Sequence, residues 1–212
     1  MKIKRQPLKQ KALVVGLTGG IATGKSEVLK VFREMGFTTV SSDELAHQCI
    51  KRGQPAYRDI LRHFGPAVLG LRREIDRKAL GKIVFASASA RRRLETIIHP
   101  CVVKTLQRYV SRNKGLLALD IPLLFEARLS DLVDRVIVVY SNRKRQIDRL
   151  IRYRRLSREE ALQRVEAQWP VAKKSLWADY ILDNTGDLRS LHAHTRQLLK
   201  GWTRKRIIKT RV

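Results

Sequence analysis

Residues 19–26 read GGIATGKS and follow the apolar run Ala12-Leu13-Val14-Val15-Gly16-Leu17. The first stretch is the GxxxxGK(S/T) phosphate-binding pattern, and the second is a buried strand placed where that pattern requires one. A row of anionic phosphate oxygens needs several inward-pointing main-chain N–H groups, and Gly19, Gly20 and Gly24 let the backbone approach closely enough to supply them. Ile21, Ala22 and Thr23 complete the cradle. Lys25 brings positive charge to the β- and γ-phosphates, and Ser26 brings a hydroxyl ligand for Mg²⁺. The helix that begins here, with Glu27 in its first turn, points its partially positive end at the anion.

Val28, Leu29, Phe32 and Met35 recur at helical spacing until Gly36, which predicts a helix directly after the loop. Phe37 to Val40 is a short β-prone run. Ser41 and Glu44 then have the form of a capping box, opening a helix through Leu45 to Ile50. Asp43 therefore falls in a first helical turn at the end of a strand, the edge at which open α/β sheets bind ligands. From Gly53 to Gly115 the pattern is mostly helical, and strand-like runs return at 116–121, 135–140 and 180–182. Strands separated by helices predict a parallel, doubly wound sheet. Ser157-Arg158-Glu159-Glu160 is a second capping box, starting a helix that ends before Pro170. The segment Arg143 to Arg164 holds nine basic residues against three acidic ones, and together these features describe a helix–turn–helix lid over phosphates.

Length and composition fit one compact domain: 212 residues, 43% of them apolar. Its formal charge of +26 is extreme, and the ends contribute through five Lys/Arg in residues 1–11 and six in 200–212, leaving +15 in the body. Such an excess permits nonspecific contact with nucleic acid. Cys49 and Cys101 stand far apart with no CxxC or Cys/His ligand spacing, so neither a disulfide nor a zinc site is expected, and a reduced, cytoplasmic setting fits. The longest later apolar run, Leu116 to Phe125, is interrupted by Asp120 and Pro122 and is too short to span a membrane. The basic N-terminus runs straight into the phosphate loop, unlike a cleaved signal peptide.

GLTGGIATGKS, SSDELA, IIHP, DIPLLFE, the run RLxxxxxLSREEALQRVEAQ and ADYILDN, taken in this order and spacing, resemble the dephospho-coenzyme A kinase family over residues 13 to 200. The resemblance implies a P-loop NTPase-type three-layer α/β fold with a five-stranded parallel sheet, a helical substrate-binding insertion and a helical lid. It implies a core at 12–48, 116–142 and 172–202, a coenzyme A-binding insertion at about 49–115 and a lid at about 143–171. Basic ends at 1–11 and 203–212 lie outside this domain of 12–202. The implied reaction is transfer of a phosphoryl group from ATP, with Mg²⁺, to the ribose 3′-hydroxyl of dephospho-coenzyme A by a cytoplasmic monomer or weak homo-oligomer. Phosphoryl transfer to an alcohol also needs a group that receives or orients the hydroxyl proton, and Asp43 matches the family's acidic position for it. Arg149 and Arg164 match lid positions that hold the transferring phosphates, and Lys174 is expected to contribute likewise. His99 and Glu126 match the substrate wall, with Asp120 a further polar contact, and Asn184 matches the position near the adenine.

Three positions depart from the family pattern. Ala22 replaces a common glycine, which is tolerable if its φ is negative. Ser41 stands where many members carry the first aspartate of an Asp-x-Asp pair, and Tyr153 where a second lid arginine is usual. Two other functions share these features: a nucleoside or nucleotide kinase with the same core, and a basic nucleic-acid-binding protein that retains an ATP site. A regulatory GTPase is disfavoured, because no NKxD motif follows the loop.

Overall fold

A computed structural model describes residues 12–207. The basic extension 1–11 and the last five residues of the 203–212 tail lie outside these. Contacts divide the chain into two units, one built from residues up to Val40 and from Asn113 onward, the other from Ser41–Arg112.

The first unit is centred on a five-stranded sheet. β1 (Leu13–Gly19) is buried along its whole length, and it pairs in parallel with β3 (Leu116–Asp120) on one side and β4 (Arg135–Tyr140) on the other. β5 (Tyr180–Asp183) adds in parallel to β4, and β2 (Thr38–Ser41) flanks β3, giving the order β2-β3-β1-β4-β5. A central parallel strand is covered on both faces, which is why β1 reads as a continuous apolar run rather than an alternation. α1 (Lys25–Glu34) buries Val28, Leu29, Val31 and Phe32, and α9 (Leu188–Ile207) adds Leu191 and Leu199 to the same core. α9 continues into the stretch set apart by sequence as a tail. The first helix stops as its sequence predicts, with Gly36 in the left-handed region at φ 83°.

The basic segment forms α6 (Arg143–Arg154) and α7 (Arg158–Glu166), joined through Arg155 at φ 53°. The reciprocal capping box at Ser157 and Glu160 is present, with N–H to side-chain distances of 2.8 and 3.1 Å. A short helix, α8 (Val171–Ser175), follows.

The second unit is helical: α2 (Ser42–Cys49), α3 (Pro55–Phe64), α4 (Arg77–Ala86) and α5 (Ala88–Arg112). Ile50, Ile60, Val68 and Leu80 form its core, with Leu94, Ile97 and Ile98 packed on from α5. It takes in α2 as well as the stretch read as an insertion. One sequence expectation is overturned here. Cys49 and Cys101 form a disulfide, their Cα atoms 6.1 Å apart. Their separation of 52 residues carries no sequence signature; the packing of α2 against α5 brings them together.

Candidate functional site

β1 delivers the chain into the loop at its carboxyl end, and α1 starts at Lys25. Gly24 is the N-cap at φ 99°, with no side chain capping the helix, so the first-turn N–H groups are not closed off by a cap. A side chain at Gly24 would be driven into the amide of Asn184, so only glycine meets both the backbone and the space demands. Thr23 is buried and its hydroxyl donates to Gly20 O at 2.9 Å, closing the loop on itself. Lys25 Nζ lies 3.1 Å from Asp120 Oδ1 at the end of β3, both side chains largely buried. The loop charge thus has a carboxylate to hold it in place.

The chain from α6 to α8 reaches the loop through two glutamines that sequence reading did not single out and through Arg149, which it did. Ile21 N–H donates to Gln168 Oε1 at 2.9 Å, and Gln146 Nε2 donates to Ile21 O at 2.6 Å, so the peptide units on both sides of this residue are held. Gln146 is 4% exposed. Arg149 donates to Ala22 O at 3.1 Å and to Asn184 O at 3.0 Å. Burial, reinforced by neighbouring Arg145, lowers the Arg149 pKa from its usual value, but a guanidinium stays charged. Glutamines carry no distinguishing signal in a polar stretch.

Ala22 lies beside this grip with φ 59°, not the negative φ that would make alanine innocuous. The left-handed region costs a residue with a Cβ about 1–2 kcal/mol, so the surrounding hydrogen bonds must hold it there. Ala22→Gly is expected to raise stability by up to about 1 kcal/mol, the gain being reduced by glycine's freedom in the unfolded chain. The check is a thermal melt, in which the variant should unfold about 2–4 °C higher; an unchanged or lower midpoint would show that the loop carries no strain at this residue.

Lys174 is fully buried. Its Nζ donates to Pro122 O at 2.7 Å and Gly19 O at 3.3 Å and pairs with Glu126 Oε1 at 2.8 Å. Burial lowers its pKa, and the Glu126 bond opposes that. The same Glu126 oxygen accepts from Trp169 N–H at 3.1 Å, while Oε2 is buried with no hydrogen-bond partner among the described residues. Lys174 therefore fastens the loop entrance to the turn after β3. Removing its partner with Glu126→Gln leaves a buried cation, with an expected cost of about 3 kcal/mol, read from the urea midpoint. A loss below about 1 kcal/mol would make the pair incidental.

Asn184 is also buried; its side-chain amide donates to Thr23 O at 2.8 Å, and its Oδ1 has no hydrogen-bond partner among the described residues. An orphan acceptor beside the loop is a place for a donor such as a base amine. Glu27 pairs with Lys30 at 2.8 Å and His192 at 3.4 Å, and the Lys30 hydrogen bond leads in lowering its pKa. Ser26 and Arg164 are exposed, and Tyr153 is 68% exposed on α6, beneath Arg152. In the helical unit, Asp43 is exposed in the first turn of α2, whose N-cap is Ser41, the Ser41 hydroxyl accepting from Glu44 N–H. His99 is exposed on α5, next to Pro100 within the helix.

Among the described residues no cluster of three or more His, Cys, Asp or Glu is placed to hold a metal. The exposed Ser26 hydroxyl in the first turn of α1 is a hard oxygen donor, suited to a cation that keeps most of its water. No helix among the described residues is long and apolar enough to cross a membrane.

The dephospho-CoA kinase family profile matches residues 13–190. A dephospho-CoA kinase of Bacillus licheniformis is 42% identical over 195 residues, covering 90% of this chain and 97% of the relative. One from Carboxydothermus hydrogenoformans is 39% identical, covering 89% and 94%. Among solved structures, the dephospho-CoA kinase from Campylobacter jejuni superposes with a TM-score of 0.63 at 26% identity, covering 91% of this chain and 98% of its own. A shikimate kinase from Acinetobacter baumannii shares the fold at 15% identity, with a TM-score of 0.53 over 96% of this chain and 97% of its own.

Proposed function

The chain belongs to the dephospho-CoA kinase family, and from that membership we propose how its own residues carry out the reaction. It is a kinase that phosphorylates dephospho-CoA at the expense of ATP in coenzyme A biosynthesis, and the acceptor atom in our reading is the ribose 3′-hydroxyl. The observation that carries the reading is the loop itself: Lys25 beside Asp120, with the Ile21 and Ala22 peptides held by lid side chains.

In this reading residues 19–24 wrap the ATP phosphates with main-chain N–H groups, and Lys25 exchanges its Asp120 partner for the β- and γ-phosphates. Arg149 and Arg164 add positive charge from the lid as water is excluded. Asn184 Oδ1 receives a donor from the adenine. Asp43 takes the proton of the attacking hydroxyl, with His99 and Glu126 on the substrate wall. Lys174, buried against Gly19 O and Pro122 O, acts by holding the loop rather than by touching substrate. Glu27 shapes the start of α1 through Lys30 and His192. Ser26 would hold Mg²⁺ through its hydroxyl. When bound, that ion neutralises charge on the β- and γ-oxygens. We place the reaction in the cytoplasm, where ATP is supplied, in a monomer or weak homo-oligomer whose +26 charge also attracts nucleic acid in a salt-dependent way.

The test is ADP release from ATP and Mg²⁺ with and without dephospho-CoA, coupled to mass detection of the product. Strictly acceptor-dependent turnover, with one phosphate gained at the 3′-hydroxyl, supports the reading. ATP binding without such turnover, or a preference for nucleosides, would overturn it.

A further inference from the structure

Within the helical unit a cleft of about 720 Å³ opens between α3 and α5. Its α5 wall is one helical face, the lining positions recurring every three or four residues from Arg93 to Arg108. That face carries Arg93, Lys104 and Arg108. Asp59 on α3 is the acidic residue in the lining, and it is taken up by Arg62 at 2.9 Å. Three cations therefore face the cleft without an acidic counterpart in its wall, and such a cleft concentrates polyanions.

Cys101 lines the same cleft. It is half-buried, whereas its disulfide partner Cys49, the last residue of α2, is 4% exposed. Of the two half-cystines, Cys101 is the one that lines the cleft and the more exposed. Along the helix axis Lys104 lies about 4.5 Å from Cys101, Arg108 about 10.5 Å and Arg93 about 12 Å, so anion-binding groups stand on both sides of the electrophilic sulfur. Nearby cations also favour the thiolate form of an approaching thiol. A single ligand class satisfies both features: a thiol that carries phosphates. The substrate and product of the kinase reading belong to that class.

We propose that the α3–α5 cleft is a modification site, at which the thiol of coenzyme A forms a mixed disulfide with Cys101. The coenzyme A thiolate attacks Cys101 Sγ, a new S–S bond forms, the Cys49–Cys101 bond breaks, and Cys49 leaves as a thiolate that takes up a proton. The coenzyme A sulfur is oxidised as the Cys49 sulfur is reduced, so the disulfide already in the fold supplies the oxidising equivalent. The reverse attack by Cys49 releases coenzyme A. The identity of the thiol rests on the kinase reading; the cleft chemistry does not require turnover.

The experiment incubates the oxidised full-length chain with reduced coenzyme A or with pantetheine, which bears the same thiol without the nucleotide phosphates, and follows intact mass and peptide maps. The expected result is a coenzyme A adduct on Cys101 formed about tenfold faster than the pantetheine adduct at low salt, with the advantage shrinking as salt is raised. Lys104→Gln together with Arg108→Gln, both exposed, should bring the coenzyme A rate down to that of pantetheine. No adduct, equal rates for the two thiols, an adduct on Cys49, or a chain whose cysteines do not pair under mild oxidant would each overturn the proposal. Kinase turnover measured on the same preparations separates the two readings: an adduct without turnover counts against the kinase assignment, and turnover without an adduct counts against this one.

Discussion

Lys25→Ala is expected to lower phosphoryl transfer roughly a thousand-fold in a chain that still folds, the scale seen when one preorganised group facing developing charge is removed. The Lys25 ammonium sits 3.1 Å from Asp120, with side-chain exposures of 16% and 13%. The low exposure and the ion pair with Asp120 hold the lysine beside the loop. As the γ-phosphoryl group moves, negative charge spreads over its oxygens, and a cation already in position needs no reorganisation to meet it. Alanine removes that charge and also takes away a neighbour of Asp120, so a melting curve must accompany the kinetics. The measurement is steady-state ADP release at saturating ATP and dephospho-CoA. Turnover within tenfold of the parent in a folded variant would take the loop lysine out of the mechanism.

Asp43→Asn is expected to lower kcat by about 10²–10⁴ with ATP affinity unchanged, because the amide cannot accept the proton of the attacking hydroxyl. The structural role that competes with this one is helix capping, and the local geometry assigns that to Ser41, whose hydroxyl accepts from Glu44 N–H. Asparagine is also nearly isosteric, so α2 should keep its first turn. An unchanged kcat would return Asp43 to being an exposed helix residue. The absence of a carboxylate at Ser41 sharpens the test, since no neighbouring acid two residues away can substitute.

Much of the fold was legible because its signals are local. The run before Gly19, the stop at Gly36 and the Ser157–Glu160 box each involve residues within a few positions of one another, and each appears in the structure where the sequence puts it. The backbone of Ala22 was less legible: an alanine in the glycine-rich loop left the sign of φ open, and the loop's tertiary hydrogen bonds settle it at 59°. Lys174 reads from the sequence as a further phosphate-holding cation beside the lid arginines, whereas it is fully buried against main-chain carbonyls.

By itself the sequence determined the phosphate loop, the alternation of strands and helices and hence the parallel sheet, since these follow from residue type, spacing and backbone preference over stretches of ten or fewer residues. Tertiary structure alone decided which side chains hold the loop. Gln146 and Gln168 reach Ile21 across 125 and 147 residues, Lys174 reaches Gly19 across 155, and Cys49 meets Cys101 across 52. Such pairings depend on which face each helix turns inward and on where the chain returns to the sheet, and no local propensity encodes either.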